Sequence, residues 1–260
     1  MPQFAANLSM MFQEVPFLER FAAARAAGFR AVEYLFPYEH PPAAVALALT
    51  RNDLTQALFN LPPGDWARGE RGVTALPGRE AEFREGLALA LDYAKATGCT
   101  LLHAMAGIAS KGIGRDAMEA TYIANLQEGA ALAERAGVTL LIEPINTRDI
   151  PGYFLNTTSQ ALSILERVGH ANVRLQLDLY HCQIMEGDLA TRIRRLAGHY
   201  PHVQIAGVPD RHEPDRGEVN YRYLFDLLDE IGYAGFIGCE YRPAADTRAG
   251  LGWAKEWGIG

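Results

Sequence analysis

Val138–Thr157 reads VTLLIEPINTRDIPGYFLNT. Five apolar or β-branched residues lead into a carboxylate, Glu143, and then at once into Pro144. The run has the length and composition of a strand, and proline stops it because proline has no N–H to give to a ladder. An ionised carboxylate taken out of water is costly unless a positive charge or hydrogen-bond donors meet it. From this stretch alone two readings stand: the strand reaches solvent at Glu143, or Glu143 meets a partner in the interior.

Outward from that strand, short apolar runs alternate with longer segments in which Ala, Leu and Phe recur every three or four positions. This is the pattern of strands alternating with amphipathic helices, and it implies a parallel sheet. The eight strand candidates are 4–8, 31–36, 56–60, 100–104, 138–142, 173–177, 203–205 and 236–239. Between and after them lie helical segments such as PFLERFAAARAAGF, AEFREGLALALDYAKATGC, AMEATYIANLQEGAALAERAG, TTSQALSILERVG, YRYLFDLLDEIGY and TRAGLGWAKEWG. Several end in Gly, where a left-handed cap is expected. Eight βα units without a linker predict one domain over residues 1–260, a closed (β/α)8 TIM barrel. An open doubly wound sheet would carry a phosphate-binding Gly motif after a strand, and no strand here is followed by one.

The composition narrows the partners. Net charge is −7, and Lys and Arg are spread along the chain, unlike the basic tracts that bind nucleic acid. Cys99, Cys182 and Cys239 are odd in number, far apart and lack metal-site spacing, so they suggest a reducing compartment, and Cys239 beside Glu240 reads as a small core residue. MPQFAANLSMMF lacks the features of a signal peptide, and no segment has the length of a membrane span, so a cytoplasmic location is expected. Ala-rich helix faces would pack equally well internally or in a homo-oligomer.

In a TIM barrel, function gathers at the C-terminal ends of the strands. Four consecutive strands carry polar residues there: Glu143 after the fifth, Asp178 and then His181 after the sixth, Gln204 in the seventh, Glu240 after the eighth. Three carboxylates directed into one small space would repel. A cation resolves the conflict, and an all-oxygen set suits a hard or borderline divalent ion, Mg2+ or Mn2+, better than structural zinc. The alternative is that the acids pair with Arg148, Arg174 or Arg242 around the barrel mouth.

The segments FAANLSMMF, VEYLFPY, NLPPGDWARGERG, LIEPINTRDIPGYFLNT, DLYHCQIMEGD, QIAGVPDRHEPDRGEVNY and GCEYRP together resemble the hydroxypyruvate isomerase family, over nearly the whole chain. That family belongs to a larger group of sugar-isomerase-like TIM barrels with ketose 3-epimerases, xylose isomerases and endonuclease IV. The resemblance implies one divalent metal on Glu143, Asp178, Gln204 and Glu240, with Glu143 and Glu240 also serving as acid and base. Gln204 departs from the group's usual His. That departure argues against endonuclease IV, which needs several further His ligands.

The reaction so implied interconverts hydroxypyruvate and tartronate semialdehyde through an enediolate, or acts on a close homologue such as a 2-oxo-tetronate. A ketose 3-epimerase is the alternative on the same barrel. A DNA-repair endonuclease and a non-catalytic sugar-acid binding protein fit less well. The chemistry needs a positioned base and an electrophile directed at the substrate oxygens. His181 is placed to donate to a developing oxyanion. A carboxylate on the substrate calls for an arginine fork. Arg211, seven residues beyond Gln204, is the first choice, with Arg68 and Arg71 of the long third loop as competitors. His103 reads as a pocket wall, His202 and His212 as surface or loop residues, and Tyr34, Phe36 and Trp66 as pocket covers.

Overall fold

The computed structural model of the chain describes residues 1–109 and 112–260. Eight parallel strands close into one barrel in sequence order: β1 (Gln3–Asn7), β2 (Ala31–Glu33), β3 (Thr55–Asn60), β4 (Leu101–His103), β5 (Thr139–Ile142), β6 (Val173–Asp178), β7 (His202–Ile205) and β8 (Phe236–Cys239). Closure is made where β8 pairs with β1, from Gln3 against Phe236 to Ala6 against Cys239. The outer ring holds α1 (Phe17–Ala26), α2 (Pro42–Arg51), α3 (Glu80–Thr97), α4 (Arg115–Arg135), α5 (Thr158–Val168), α6 (Leu179–Met185), α7 (Leu189–Arg195) and α8 (Tyr221–Glu230).

All eight strand candidates are strands. β2 ends at Glu33 instead of running to Phe36, and its register with β3 shifts between Val32 and Glu33. The last helical segment, Ala249–Trp257, is a 3-10 helix, interrupted in sequence by Gly250 and Gly252. α2 carries Pro42 in its first turn, where the missing N–H costs nothing. Left-handed glycines close α3 at Gly98 and α5 at Gly169, as expected from the sequence.

Two layers of packing result. Between strands and helices lies the apolar core, with Phe21, Phe83, Tyr122 and Phe154 fully buried. Inside the barrel the lower end is filled by small residues, Ala5, Ala31 and Ala57, against Phe236. Above them the interior turns polar, which is where the site begins.

The long third loop is seated on the end of β4 by backbone bonds: Thr74 N–H to Met105 O (3.3 Å) and Ala75 N–H to Ala106 O (2.8 Å). Glu70 clamps the same loop, receiving both terminal nitrogens of Arg79 at 2.6 and 2.9 Å and the Asp65 N–H at 2.6 Å. Between these anchors Gly72 has φ +105°, and a Cβ on it would stand 2.2 Å from the Met105 carbonyl oxygen. Gly72→Ala therefore meets both left-handed strain and a backbone clash. It is expected to lower stability in urea denaturation by about 2–3 kcal/mol; a loss below about 0.5 kcal/mol would show that the loop is not seated in this way.

Candidate active site

β5, β6 and β8 deliver their carboxylates to one point. Ligand atoms of Glu143, Asp178, Glu240 and His181, all buried, lie within 4.8 Å of one another. Among the described residues this is the one such convergence of acid, histidine or cysteine side chains. Asp178 caps α6, accepting from the Tyr180 and His181 N–H groups at 2.7 and 3.1 Å through Oδ1. Among the described residues its Oδ2 and the Oε1 of Glu143 have no hydrogen-bond partner. Burial, and then the charges of Glu240 and Asp178, raise the Glu143 carboxyl well above its ordinary range. Burial likewise raises Asp178, against the pull of Arg211. Glu240 is pushed by burial to about 8, again with Arg211 opposing. Orphaned, desolvated carboxylate oxygens directed at one another are a donor set that a divalent cation fits.

The tautomer of His181 follows from its neighbours. The Asn146 Oδ1 is taken by the Asp149 N–H at 2.7 Å, so the Nδ2 of Asn146 is the atom 2.6 Å from His181 Nδ1. The Asn146 backbone N–H points at the same ring nitrogen, at 3.4 Å. Two donors make Nδ1 an acceptor and place the ring proton on Nε2. Nε2 lies 3.7 Å from Asp178 Oδ2 and 3.9 Å from Glu143 Oε1. Burial keeps the ring neutral, with its pKa well below the ordinary value. His181 thus presents an N–H to the site, not a metal-binding lone pair.

Arg211 is the acids' internal counter-charge, whereas the alternative reading of the sequence paired them with Arg148, Arg174 or Arg242. Its Nη2 meets Glu240 Oε2 at 2.7 Å, its Nη1 meets Asp149 Oδ2 at 3.1 Å, and the guanidinium lies 4.9 Å from the Tyr180 ring centre. Burial opposes its charge, but Glu240, Asp178 and Asp149 outweigh that and hold it protonated. Both faces of the fork are occupied by carboxylates of the protein.

Arg71 has no such partner among the described residues. It lies across the Trp66 ring at 3.8 Å and donates to the carbonyls of Trp66 and Glu70 at 3.2 and 2.6 Å. With Trp66, Arg242, Arg211, His181 and the two glutamates it lines a cavity of about 330 Å³ over the acids. Arg68 does not line that cavity.

Other residues fall elsewhere than expected. His202 is not on the surface: it is fully buried inside the barrel, its Nε2 2.6 Å from Glu33 Oε2. His103 stands behind Glu143, its Nδ1 3.3 Å from Oε2, and burial lowers its pKa to about 3. Tyr34 is core, packed against Phe17 and Phe21, whereas Phe36 supports Trp66 edge-on. His212 lies on a loop, as expected, against the Arg242 carbonyl. Gln204 is paired on both sides, Nε2 to Glu33 and Oε1 to Gln176. Asn146, Asp149, Gln176 and Glu33 were not singled out from sequence. Single polar residues with no motif around them carry little signal, although Glu33 and Gln176 share with Glu143 the mark of a polar group in an apolar run.

The profile of the xylose isomerase-like TIM barrel family matches residues 21–257. The chain belongs to that family. A 2-oxo-tetronate isomerase from Cupriavidus necator is 58% identical over 99% of both chains. The hydroxypyruvate isomerase of Escherichia coli is 45% identical, over 97% of this chain and 98% of that one. A crystal structure of an AP endonuclease, family 2, from Brucella melitensis superposes with a TM-score of 0.97 at 53% identity, covering 99% of each chain. By this kinship the chain is an isomerase of the hydroxypyruvate and 2-oxo-tetronate isomerase kind. No helix among the described residues is long and apolar enough to cross a membrane.

If Asn146 sets the imidazole tautomer, Asn146→Asp, which offers Nδ1 an acceptor, should move the proton from Nε2 to Nδ1. Long-range proton–nitrogen NMR of the histidine rings is expected to show Nε2–H in the unaltered protein and Nδ1–H in the variant. An unchanged tautomer would refute the assignment.

Proposed function

We propose that this enzyme moves the carbonyl of a short hydroxylated 2-oxo acid from C2 to C3, using Glu143 and Glu240 as base and acid and one divalent ion, Mg2+ or Mn2+, as electrophile. The observation that carries the reading is the set of buried carboxylates with orphaned oxygens beneath a cavity whose wall holds an unpaired arginine. Glu143, Asp178, Gln204 and Glu240 would hold the ion. The Nε2–H tautomer of His181 leaves that ring as a donor to substrate, which favours the Gln204 amide oxygen as the fourth ligand. When bound, a divalent ion polarises the carbonyl and offsets the negative charge that develops on oxygen.

The protein's own groups do the rest. One glutamate takes the proton from C3, the electron pair forms the C2–C3 double bond of an enediolate with the charge on O2, and transfer of the O3 hydroxyl proton to O2 together with return of a proton to C2 leaves the carbonyl at C3. Burial raises both glutamates toward the range in which a carboxylate is an effective base near neutral pH. The His181 Nε2–H donates to the oxygen that becomes anionic. Arg71 holds the substrate carboxylate, displacing Arg211 from the role first given to it, because Arg211 is already engaged by Glu240 and Asp149. Arg211 instead fixes the Glu240 carboxylate in place.

Hydroxypyruvate and a 2-oxo-tetronate undergo the same proton transfer and differ by one hydroxylated carbon. The greater identity to the Cupriavidus necator protein favours the four-carbon acid as substrate and hydroxypyruvate as the second. Incubating the protein with each acid, and with a ketohexose, in deuterated water with Mg2+ separates isomerisation from 3-epimerisation by NMR of product and label. Phosphodiester cleavage is disfavoured, since the convergent cluster holds one histidine and the chain is acidic.

Glu143→Gln and Glu240→Gln should each lower turnover by at least about a hundredfold, the low end for a lost general acid or base, with the fold intact by circular dichroism. Near-normal turnover in either would reduce that glutamate to a ligand. Arg71→Ala should lower kcat/KM for the acid by roughly thirtyfold to more than a hundredfold, from the loss of a charge-assisted pair of about 2–3 kcal/mol. A neutral analogue such as dihydroxyacetone should be affected far less; equal losses on both would place the carboxylate elsewhere.

A further inference from the structure

The barrel interior beneath the acids is polar where a TIM barrel is ordinarily filled by branched apolar side chains. Asn7, Glu33, Gln176, His202 and Gln204 are all buried there. Glu33 is the hub: Oε1 receives Asn7 Nδ2 at 2.9 Å and Gln204 Nε2 at 2.8 Å, and Oε2 stands 2.6 Å from His202 Nε2. Its seat is made by Gly238, the register neighbour of Gln204, where a Cβ would come within 2.2 Å of the Glu33 carboxylate.

We infer that Glu33 is a positioning residue that turns the Gln204 amide oxygen toward the ion; the inference rests on the ligand role proposed for Gln204. A side-chain amide has two nearly isosteric orientations, and only one presents oxygen. A carboxylate accepts and does not donate, so the Gln204 nitrogen must face Glu33. The oxygen is then directed to the other side, where Gln176 Nε2 meets it at 2.5 Å and where Asp178 is the register neighbour of Gln204. A carbonyl oxygen has two lone pairs, so one is left for a cation. Asn7 and His202 hold both Glu33 oxygens and stop the carboxylate from turning. His202 Nδ1 has no partner among the described residues, which agrees with a proton on Nε2 donated to Glu33.

Groups that orient metal ligands are worth about 10–100-fold in metal affinity. The test is Mn2+ binding by isothermal titration calorimetry on the whole protein, with near-UV circular dichroism to confirm the fold. Glu33→Gln, which lets the Gln204 amide turn over, should weaken Mn2+ by about 10–100-fold. Adding Gln204→Glu to that variant should restore affinity to within a few fold. The amide introduced at position 33 then donates to the carboxylate introduced at position 204, and an oxygen again faces the ion. A role in packing alone would not be rescued by this exchange.

Glu33→Gln binding Mn2+ about as well as the unaltered protein, while Gln204→Leu binds it poorly, overturns the positioning role and leaves the ligand set standing. Full affinity in Gln204→Leu removes Gln204 from the ligand set and the inference with it. Should Glu33→Gln not fold, NMR of glutamine-labelled unaltered protein decides. Slow-exchanging Gln204 side-chain N–H signals and a carbonyl carbon that shifts with Mg2+ support the inference. A carbonyl carbon unmoved by Mg2+ overturns it.

Discussion

Three carboxylates share a space in which water cannot separate them, and most of the site's other features answer that constraint. The acids are anchored at the ends of β5, β6 and β8, so the chain cannot move them apart without opening the barrel. Desolvation and mutual repulsion push all three toward protonation, whereas base catalysis and cation binding need them ionised. Arg211 supplies one positive charge against three negative ones. The remainder is what a cation held by these acids would offset.

Seen from that imbalance, the neutral groups around the acids have distinct tasks. His181 is held neutral by burial and in one tautomer by Asn146, so it lends a hydrogen-bond donor without adding a positive charge to the site. Gln204 is held in one amide orientation by Glu33 and Gln176. Both devices work because each partner already has its other atoms committed: Asn146 to Asp149, Glu33 to Asn7 and His202. Orientation in this site is therefore set by chains of obligatory donors and acceptors more than by packing, and such chains fail as a unit when one member changes.

The barrel was legible because parallel strands enclosed by helices must read as apolar runs, and a helix must show its period; neither depends on tertiary detail. β2 read three residues too long because Tyr34, Leu35 and Phe36 continue the apolar run past Glu33, although only Ala31–Glu33 form the strand. At the site, Glu143, Asp178 and Glu240 could be found as charges ending apolar runs. The arginines could be ranked only by their place along the chain, which put Arg211 first, whereas Arg211 and Arg71 differ in what they meet: two carboxylates in one case, carbonyls and an indole face in the other. His202 was misplaced for a related reason. A histidine at a strand's first residue looks exposed unless one knows that Glu33, far away in sequence, lies across the barrel to receive it.

The same long-range pairing explains how a barrel tolerates a polar interior. Five buried polar side chains beneath the acids, Asn7, Glu33, Gln176, His202 and Gln204, cannot contribute the apolar burial that usually fills this volume. Stability has to come from the layer between strands and helices, where Phe21, Phe83, Tyr122 and Phe154 are fully buried, and from the small-residue plug of Ala5, Ala31 and Ala57 against Phe236. That division leaves the upper barrel free to be selected for where it places donors and acceptors. Because the strands are held from outside, a polar group inside need only be satisfied by its neighbours, and those satisfied atoms fix the side chains whose other oxygens stay without a partner among the described residues, as Asp178 Oδ1 does for its Oδ2.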